Sequence, residues 1–345
     1  LKRLVALLCV TAVLAICSCS SPDADPTVVT LLTHDSFRIS PGVLADFEHR
    51  SGLKVRVLRS GDAGTLVNQA VLSKGHPQGD VLYGVDNTFL SRAVRAGIFT
   101  PYRAPTATQV PRAFDLDPAV TPIDYGDVCV NYDKAWYTAH RLAPPRTFED
   151  LTAPAYRNQL VVENPATSSP GLAFLLGTIA SFGEAGWTGW WKRLRANGAL
   201  VTDTWAEAYR QRFTVGSGGQ GNRPLVVSYA SSPPAEVLYA AERPATAPSG
   251  VLVDTCFRQI EFAGLLAGAK NSAGGRKLVD FLLSAEFQRD LPLQEFVLPV
   301  LPGTPLPREF TAYATLPARP LTLPAGEIDA HRDAWISRWT ASVLR

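Results

Sequence analysis

The chain has 345 residues, with 33 Lys and Arg against 31 Asp and Glu for a net charge of +2, and 46% of its residues are hydrophobic. That balance excludes a disordered chain and supplies no charge field for binding nucleic acid or a membrane surface. The length suits two lobes at about 100–200 residues per domain.

Lys2 and Arg3 precede an apolar run, Leu4 to Ile16, which closes on Cys17-Ser18-Cys19. A positive n-region, a short apolar h-region and a processing site, in that order, mark an export signal. About thirteen apolar residues are too few for the roughly 20 of a membrane-spanning helix. The closing Ile16-Cys17-Ser18-Cys19 resembles a bacterial lipobox, with small Ser18 before Cys19 as the residue to be acylated. A soluble secretory signal with incidental cysteines is the other reading. On either, residues 1–19 are a signal and the mature chain works outside the cytoplasm. Residues 20–27 (SSPDADPT) are polar and Pro-containing, as a tether should be.

Val28 to Thr33 reads as a buried strand, Gly42 to Arg50 as a helix and Leu53 to Leu58 as a second strand. Leu66, Val67, Ala70 and Val71 share one helical face, with Gly75 to stop it. Asp80 to Tyr83 is a strand, and Asn87 to Ala96 a helix ended by Gly97. Strands alternating with helices predict parallel pairing through helical crossovers, an α/β fold. Gln159 to Val162 repeats the strand, and Pro170 to Phe182 the helix, with Ser169 and Pro170 as N-cap and first position. Gly186 to Ala196 places Trp187, Trp190 and Trp191 at core spacing. Leu225 to Tyr229 and Phe257 to Leu265 are further strands, Arg276 to Leu291 two short helices, and Gly326 to Val343 a closing helix.

No catalytic constellation appears. Residues 216–221 (GSGGQG) match G-x-G-x-x-G, but Pro224 leads into a strand where a dinucleotide fingerprint must open a helix, so this is a loop. There is no G-x-S-x-G elbow and no Walker-type glycine loop. The five histidines have no metal-ligand spacing. With Cys9, Cys17 and Cys19 in the signal, Cys129 and Cys256 remain in the folded body, either as a disulfide or as two buried thiols. A binding protein without cofactor or metal is the default.

Short motifs then accumulate in order: Thr33-His34-Asp35-Ser36-Phe37, Gly79-Asp80-Val81, Gly84-Val85-Asp86-Asn87, Asp124-Tyr125-Gly126, Val130-Asn131-Tyr132-Asp133-Lys134 and Thr167-Ser168-Ser169-Pro170-Gly171. Trp205-Ala206-Glu207-Ala208-Tyr209, Val227-Ser228-Tyr229 with Ser232-Pro233, and Ala334-Trp335-Ile336-Ser337-Arg338-Trp339 continue them. Over nearly the whole mature chain this resembles the thiamine-binding periplasmic proteins of thiamine ABC importers.

The resemblance implies a two-lobed type 2 periplasmic-binding-protein fold, each lobe a mixed sheet flanked by helices, joined by two hinge strands. Lobe 1 would be residues 28–124 and 261–345, lobe 2 residues 125–260, and the hinge strands Val128–Tyr132 and Cys256–Glu261. Cys129 and Cys256 fall on these two strands, where a disulfide becomes the favoured reading. The resemblance further implies a monomer that takes thiamine or a thiamine phosphate from solution and delivers it to a membrane permease with its ATPase.

In the cleft, Trp205 matches a ring-stacking tryptophan, Tyr229 an aromatic wall and Asp62 a carboxylate for the aminopyrimidine. Asp62 also suits a helix N-cap, and Trp205 a helix core. Thr167, Ser168 and Ser169 precede a helix N-terminus suited to a hydroxyl or phosphate, while His34, Asp35, Ser36 and Pro233 complete the expected lining. Three positions depart from the family: His34 and Ala235 replace cleft tyrosines, and Phe296 replaces a stacking tryptophan. A protonated His34 would repel a thiazolium. Receptors for a related cation, pyrimidine, polyamine, phosphonate or ferric ion remain alternatives, as does an exported thiamine-degrading enzyme. Tyr229 followed by Ala230 lacks the tyrosine pair of ferric receptors.

Overall fold

Every strand and helix read from the apolar pattern is present in the computed structural model, which describes residues 26–216 and 218–345. The export signal, Cys19 and residues 20–25 of the tether lie outside the described residues. The chain runs β1 (Val28–Thr33), α1 (Pro41–Ser51), β2 (Lys54–Arg59), α2 (Ala63–Leu72), β3 (Val81–Asp86), α3 (Leu90–Arg95), β4 (Phe99–Thr100) and the long β5 (Thr121–Asp133). Next come α4 (Lys134–His140), β6 (Leu160–Glu163), α5 (Ser169–Ala196), β7 (Leu200–Thr202), α6 (Trp205–Glu207), β8 (Leu225–Tyr229) and α7 (Ser232–Tyr239). β9 (Ser249–Leu266) recrosses the molecule, followed by α8 (Ser272–Leu282), α9 (Ala285–Gln294), β10 (Leu298–Pro299), α10 (Arg308–Tyr313) and α11 (Ala325–Val343).

The strands form one mixed sheet in the order β2-β1-β3-β9-β5-β8-β6-β7, with β4 on β9 and β10 on β5. β2, β1 and β3 are parallel at one end, and β8, β6 and β7 at the other. Between them, β5 and β9 pair antiparallel along almost their full lengths. The expected hinge segments are thus inner stretches of two much longer strands. Their length is hard to read in sequence because Asp124, Gly126 and Asp127 interrupt the apolar pattern of β5, yet Asp124 and Asp127 are buried by neighbouring strands on both sides.

One core joins β1 and β3 to α1, α8 and α9, with Phe47 stacked on Phe281 at 4.4 Å between ring centroids. The other surrounds α5, where Trp187, Trp190 and Trp191 are fully buried as packing residues. Trp190 donates to the Phe148 carbonyl and Trp191 to Thr178 Oγ1. The two helices expected on either side of residue 183 are both present within α5, separated at Gly183, whose φ of 65° and ψ of 174° break the helical path. α11 lies across α5 through Trp339 on Trp191, 5.5 Å apart, and reaches α3 through Arg332, whose guanidinium lies over Phe89. Among the described residues no helix is long and apolar enough to cross a membrane.

Cys129 and Cys256 are joined by a disulfide that closes a separation of 127 residues. It sits where the β5–β9 register breaks between Val128 and Val130, and β9 bulges over residues 253–256. Thr255 fills this bulge, its Oγ1 accepting the Val130 N–H that the broken ladder leaves free.

Candidate ligand-binding cleft

A cavity of about 980 Å³ opens between the β1–β3 side of the sheet and the β8–β6 side. It lies where β1 ends (His34, Ser36), where β8 ends (Tyr229), and beside the starts of α2 and α5 (Asp62, Ser169). Crevices at the carboxyl ends of strands are the usual ligand sites of open α/β sheets, and the volume is at the upper end for a small molecule.

Aromatic rings build one part of the wall. Trp205 opens α6 behind the N-cap Thr204, stacks on Tyr209 at 4.9 Å and 14°, and donates from Nε1 to Ser228 Oγ at 3.0 Å. The Nε1 edge of the indole and its Tyr209 face are thereby fixed, and the Arg210 guanidinium lies over the ring, 5.6 Å from its centroid. Tyr229 is held by a hydrogen bond from its Oη to Gln259 Oε1 at 3.3 Å. Phe296 packs edge-on against Tyr239, 5.0 Å between centroids. It stands just past α9 at φ 58°, a left-handed conformation where helices usually place glycine.

Carboxyl groups line the same cavity beside these rings. Glu261 lines the cavity from β9 and Glu295 from the end of α9, with His34 between them, its Nε2 4.0 Å from Glu261 and 3.8 Å from Glu295. His34 fits because Gly84 of β3 has no side chain: a Cβ there would stand 2.4 Å from the imidazole Cδ2. Burial, helped by Arg38 and Arg59, lowers the His34 pKa to about 4, so the ring is neutral at physiological pH and does not repel a cation. Burial pushes Glu261 and Glu295 well above the ordinary carboxylate range, Asp124 and Asp86 adding repulsion at Glu261. Further along the cleft, Glu236 accepts from Tyr209 Oη and from Ser249, and burial raises it to about 7.

Asp62 is the α2 N-cap foreseen for it. One oxygen accepts the Ala63 N–H as the α2 cap, the other accepts the Trp205 N–H at 3.0 Å, and the side chain lines the cavity. Burial raises its pKa against these bonds and the adjacent Ser168 hydroxyl, which favour the charged form. Next to it, the Gly64 and Thr65 N–H groups both donate to the Thr167 carbonyl, at 3.0 and 3.3 Å. A Cβ on Gly64 would come within 2.8 Å of that carbonyl. The two sides of the cleft therefore touch directly here.

Of the residues expected at the site, His34, Ser36, Asp62, Ser169, Trp205, Tyr229, Ala235 and Phe296 line the cavity. Asp35, Thr167, Ser168 and Pro233 do not. Asp35 faces solvent and clips the Gly61 N–H, Thr167 bonds the Asp203 carbonyl, and Pro233 is buried inside α7. Ser168 is fully buried with its hydroxyl beside the Asp62 carboxyl, and the Ser169 Oγ is buried without a hydrogen-bond partner, both at the head of α5. Sequence reasoning missed Glu261, Glu295, Tyr209 and Glu236, and Gly216, Gly218 and Gly219 of the loop that matches G-x-G-x-x-G also line the cavity. Tyr209 stood in a quoted motif, whereas nothing local marks the two glutamates. Among the described residues no group of three or more His, Cys, Asp or Glu is arranged to hold a metal ion.

Residues 77–317 match the model of the family "Bacterial extracellular solute-binding protein". The thiamine-binding periplasmic protein of Escherichia coli (strain K12) is 30% identical over 333 residues, covering 95% of this chain and 97% of that protein. That of Brucella suis biovar 1 is 29% identical, covering 92% of each. The solved structure of a periplasmic thiamin binding protein superposes with a TM-score of 0.81 at 28% identity, covering 92% of this chain and 96% of the other. With the two-sided cleft and the long paired strands beneath it, these similarities show that the chain belongs to the bacterial extracellular solute-binding proteins.

Proposed function

We propose that this protein is the thiamine or thiamine-phosphate receptor of an ABC importer, exported and held at the membrane by acylated Cys19. The observation that carries the reading is that aromatic rings, Trp205 stacked on Tyr209 and Tyr229, share one cavity with buried carboxyls. That chemistry suits a flat ring joined to a thiazolium. Each aromatic face contributes about 0.5–2 kcal/mol toward a cation as desolvation increases, and His34, neutral in place, does not oppose it. The likeness to thiamine-binding proteins over nearly the whole chain agrees with it.

In this reading Trp205 and Tyr229 flank the aminopyrimidine and Asp62 accepts from its amino group. The head of α5, where Ser169 lines the cavity with its Oγ unpartnered, receives the hydroxyethyl or phosphate end. Residues 28–124 with 261–345 form one lobe and 125–260 the other, with α11 of the first lying over α5 of the second. The lobes close about β5 and β9, and the closed monomer docks on a permease whose ATPase supplies the energy. The competing reading, an exported enzyme attacking thiamine through a cysteine, lacks a nucleophile at Cys129 and Cys256, which are bonded to each other. Purified protein incubated with thiamine and then denatured should return the vitamin intact at about one per chain; cleavage products would contradict a receptor.

A further inference from the structure

Glu261 is the middle of a row. On the sheet it stands directly opposite Asp86 of β3 on one side and Asp124 of β5 on the other. Residues opposite one another in antiparallel strands share a face, and like charges so placed repel. Asp86 and Asp124 are each tied by one oxygen: Asp86 Oδ1 accepts from the Thr88 hydroxyl and amide, and Asp124 Oδ2 from Tyr83 Oη at 2.5 Å. Their other oxygens, Asp86 Oδ2 and Asp124 Oδ1, are buried without a partner. Glu261 alone in the row reaches the cavity, fixed at one oxygen by Gln259 Nε2 at 2.8 Å. Glu295 joins it there from the far side, accepting the Arg38 N–H.

A second observation points to an occupant. His34 is 8% exposed and lines the cavity between the two glutamates, and its Nε2 has no hydrogen-bond partner. The gaps of 3.8 and 4.0 Å to the carboxylates are too long for direct bonds. Two carboxyls and an imidazole nitrogen thus converge on the cavity with bonding capacity unspent.

We propose that Glu261 and Glu295, with His34 between them, form the subsite for the positive charge of the solute, and that the cation enters in exchange for a proton carried by this pair. The inference rests on the reading of the solute as an organic cation. Empty, the cleft cannot hold several adjacent carboxylates charged away from water, so the pair keeps a proton. The surrounding groups agree with that. Asp86, Asp124 and Asp62 add negative potential from β3, β5 and the head of α2, raising the affinity for a proton. Arg38 and Arg59 oppose it at Glu295, and burial, with these two arginines, keeps His34 neutral, so the proton resides on a glutamate rather than the imidazole. The phenols of Tyr83 and Tyr229 are buried and stay protonated. When a fixed cation arrives, its charge replaces that of the proton, which passes to solvent; no bond other than O–H is broken. The subsite thereby discriminates a permanent cation from a neutral ring of the same shape.

The test is calorimetric titration of the full protein with thiamine in two buffers of different ionisation enthalpy, across pH 5.5–8. Glu261→Gln and Glu295→Gln are run beside the parent, with the neutral hydroxymethylpyrimidine half as control ligand. Expected is release of close to one proton per thiamine near neutral pH, affinity rising up to about tenfold per pH unit below it, and no proton release for the pyrimidine. Each Gln variant should bind thiamine on the order of tenfold or more weaker, with proton release largely lost and pyrimidine binding unchanged. Unchanged pyrimidine binding also shows that the variants are folded. Thiamine binding with no proton release and no loss in either variant overturns the inference and leaves the receptor reading intact. No thiamine binding at all by the parent overturns both.

Discussion

Phe296 occupies a backbone conformation that suits its neighbours poorly and the cleft well. A bulky side chain at φ 58° costs about 1–2 kcal/mol relative to glycine, and α9 would end more stably with glycine there. Such strain at a ligand wall is consistent with selection for the ring's position. We expect Phe296→Gly to be more stable than Phe296→Ala by about 1 kcal/mol, read from urea midpoints, while both bind thiamine several-fold more weakly. The reverse order of stability would show that the backbone is not strained. Trp205→Ala removes the indole and its contact with Tyr209, and titration should show at least about a tenfold loss, near 1.4 kcal/mol. An unchanged affinity would place the ligand elsewhere in the cavity.

The elements meet across the cleft at α2 and the turn before α5. Three hydrogen bonds cross here, from Gly64 and Thr65 to the Thr167 carbonyl and from Trp205 to Asp62. Gly64→Ala would drive a methyl against that carbonyl, so we expect a more open average shape, a larger radius of gyration by X-ray scattering with ligand bound, and about tenfold lower affinity for roughly 1–2 kcal/mol of lost contact. A variant as compact and as tight as the parent would show that this contact does not hold the closed form.

The legibility of the sequence follows from what each element depends on. β1, β3, α2 and α5 were readable because their apolar periodicity is local, and Asp62 because capping is a local signal. The break before Trp187 was readable too, and Gly183 supplies it. The full lengths of β5 and β9 were not readable, since polar residues in them are buried by strands distant in sequence. Glu261 and Glu295 were missed for the same reason. Their role arises from the register of β3, β9 and β5 and from the end of α9, which bring distant acids to one place.

At the scale of the whole molecule, the sheet concentrates buried acids along the line between its two ends. Burial raises Asp86 to about 6, and Asp124 and Glu236 to about 7, whereas carboxyls of the unfolded chain titrate near 4. Between about pH 4 and 7 the folded state therefore holds more protons than the unfolded state. The stability these groups contribute is fully present below about pH 4 and is lost as pH rises through their folded values. Thermal unfolding of the ligand-free protein should show a melting temperature that declines from pH 5 to 7.5, and a saturating cation should flatten that slope. A melting temperature that rises over this window would mean the acids are paired and charged in the folded state. The disulfide between Cys129 and Cys256 ties the two long strands at the bulge beside this line, so the proposed closure would bend the strands on either side of a fixed point.

The cleft is proposed as the receptor site for thiamine or its phosphates. Titration calorimetry of the purified mature protein against thiamine, thiamine phosphate, thiamine diphosphate and hydroxymethylpyrimidine tests it most directly. Expected are one site per chain, micromolar or tighter affinity for at least one thiamine compound, and weaker binding of the neutral pyrimidine. Failure of every thiamine compound to bind at micromolar concentration, or equal affinity for the pyrimidine half alone, would contradict it.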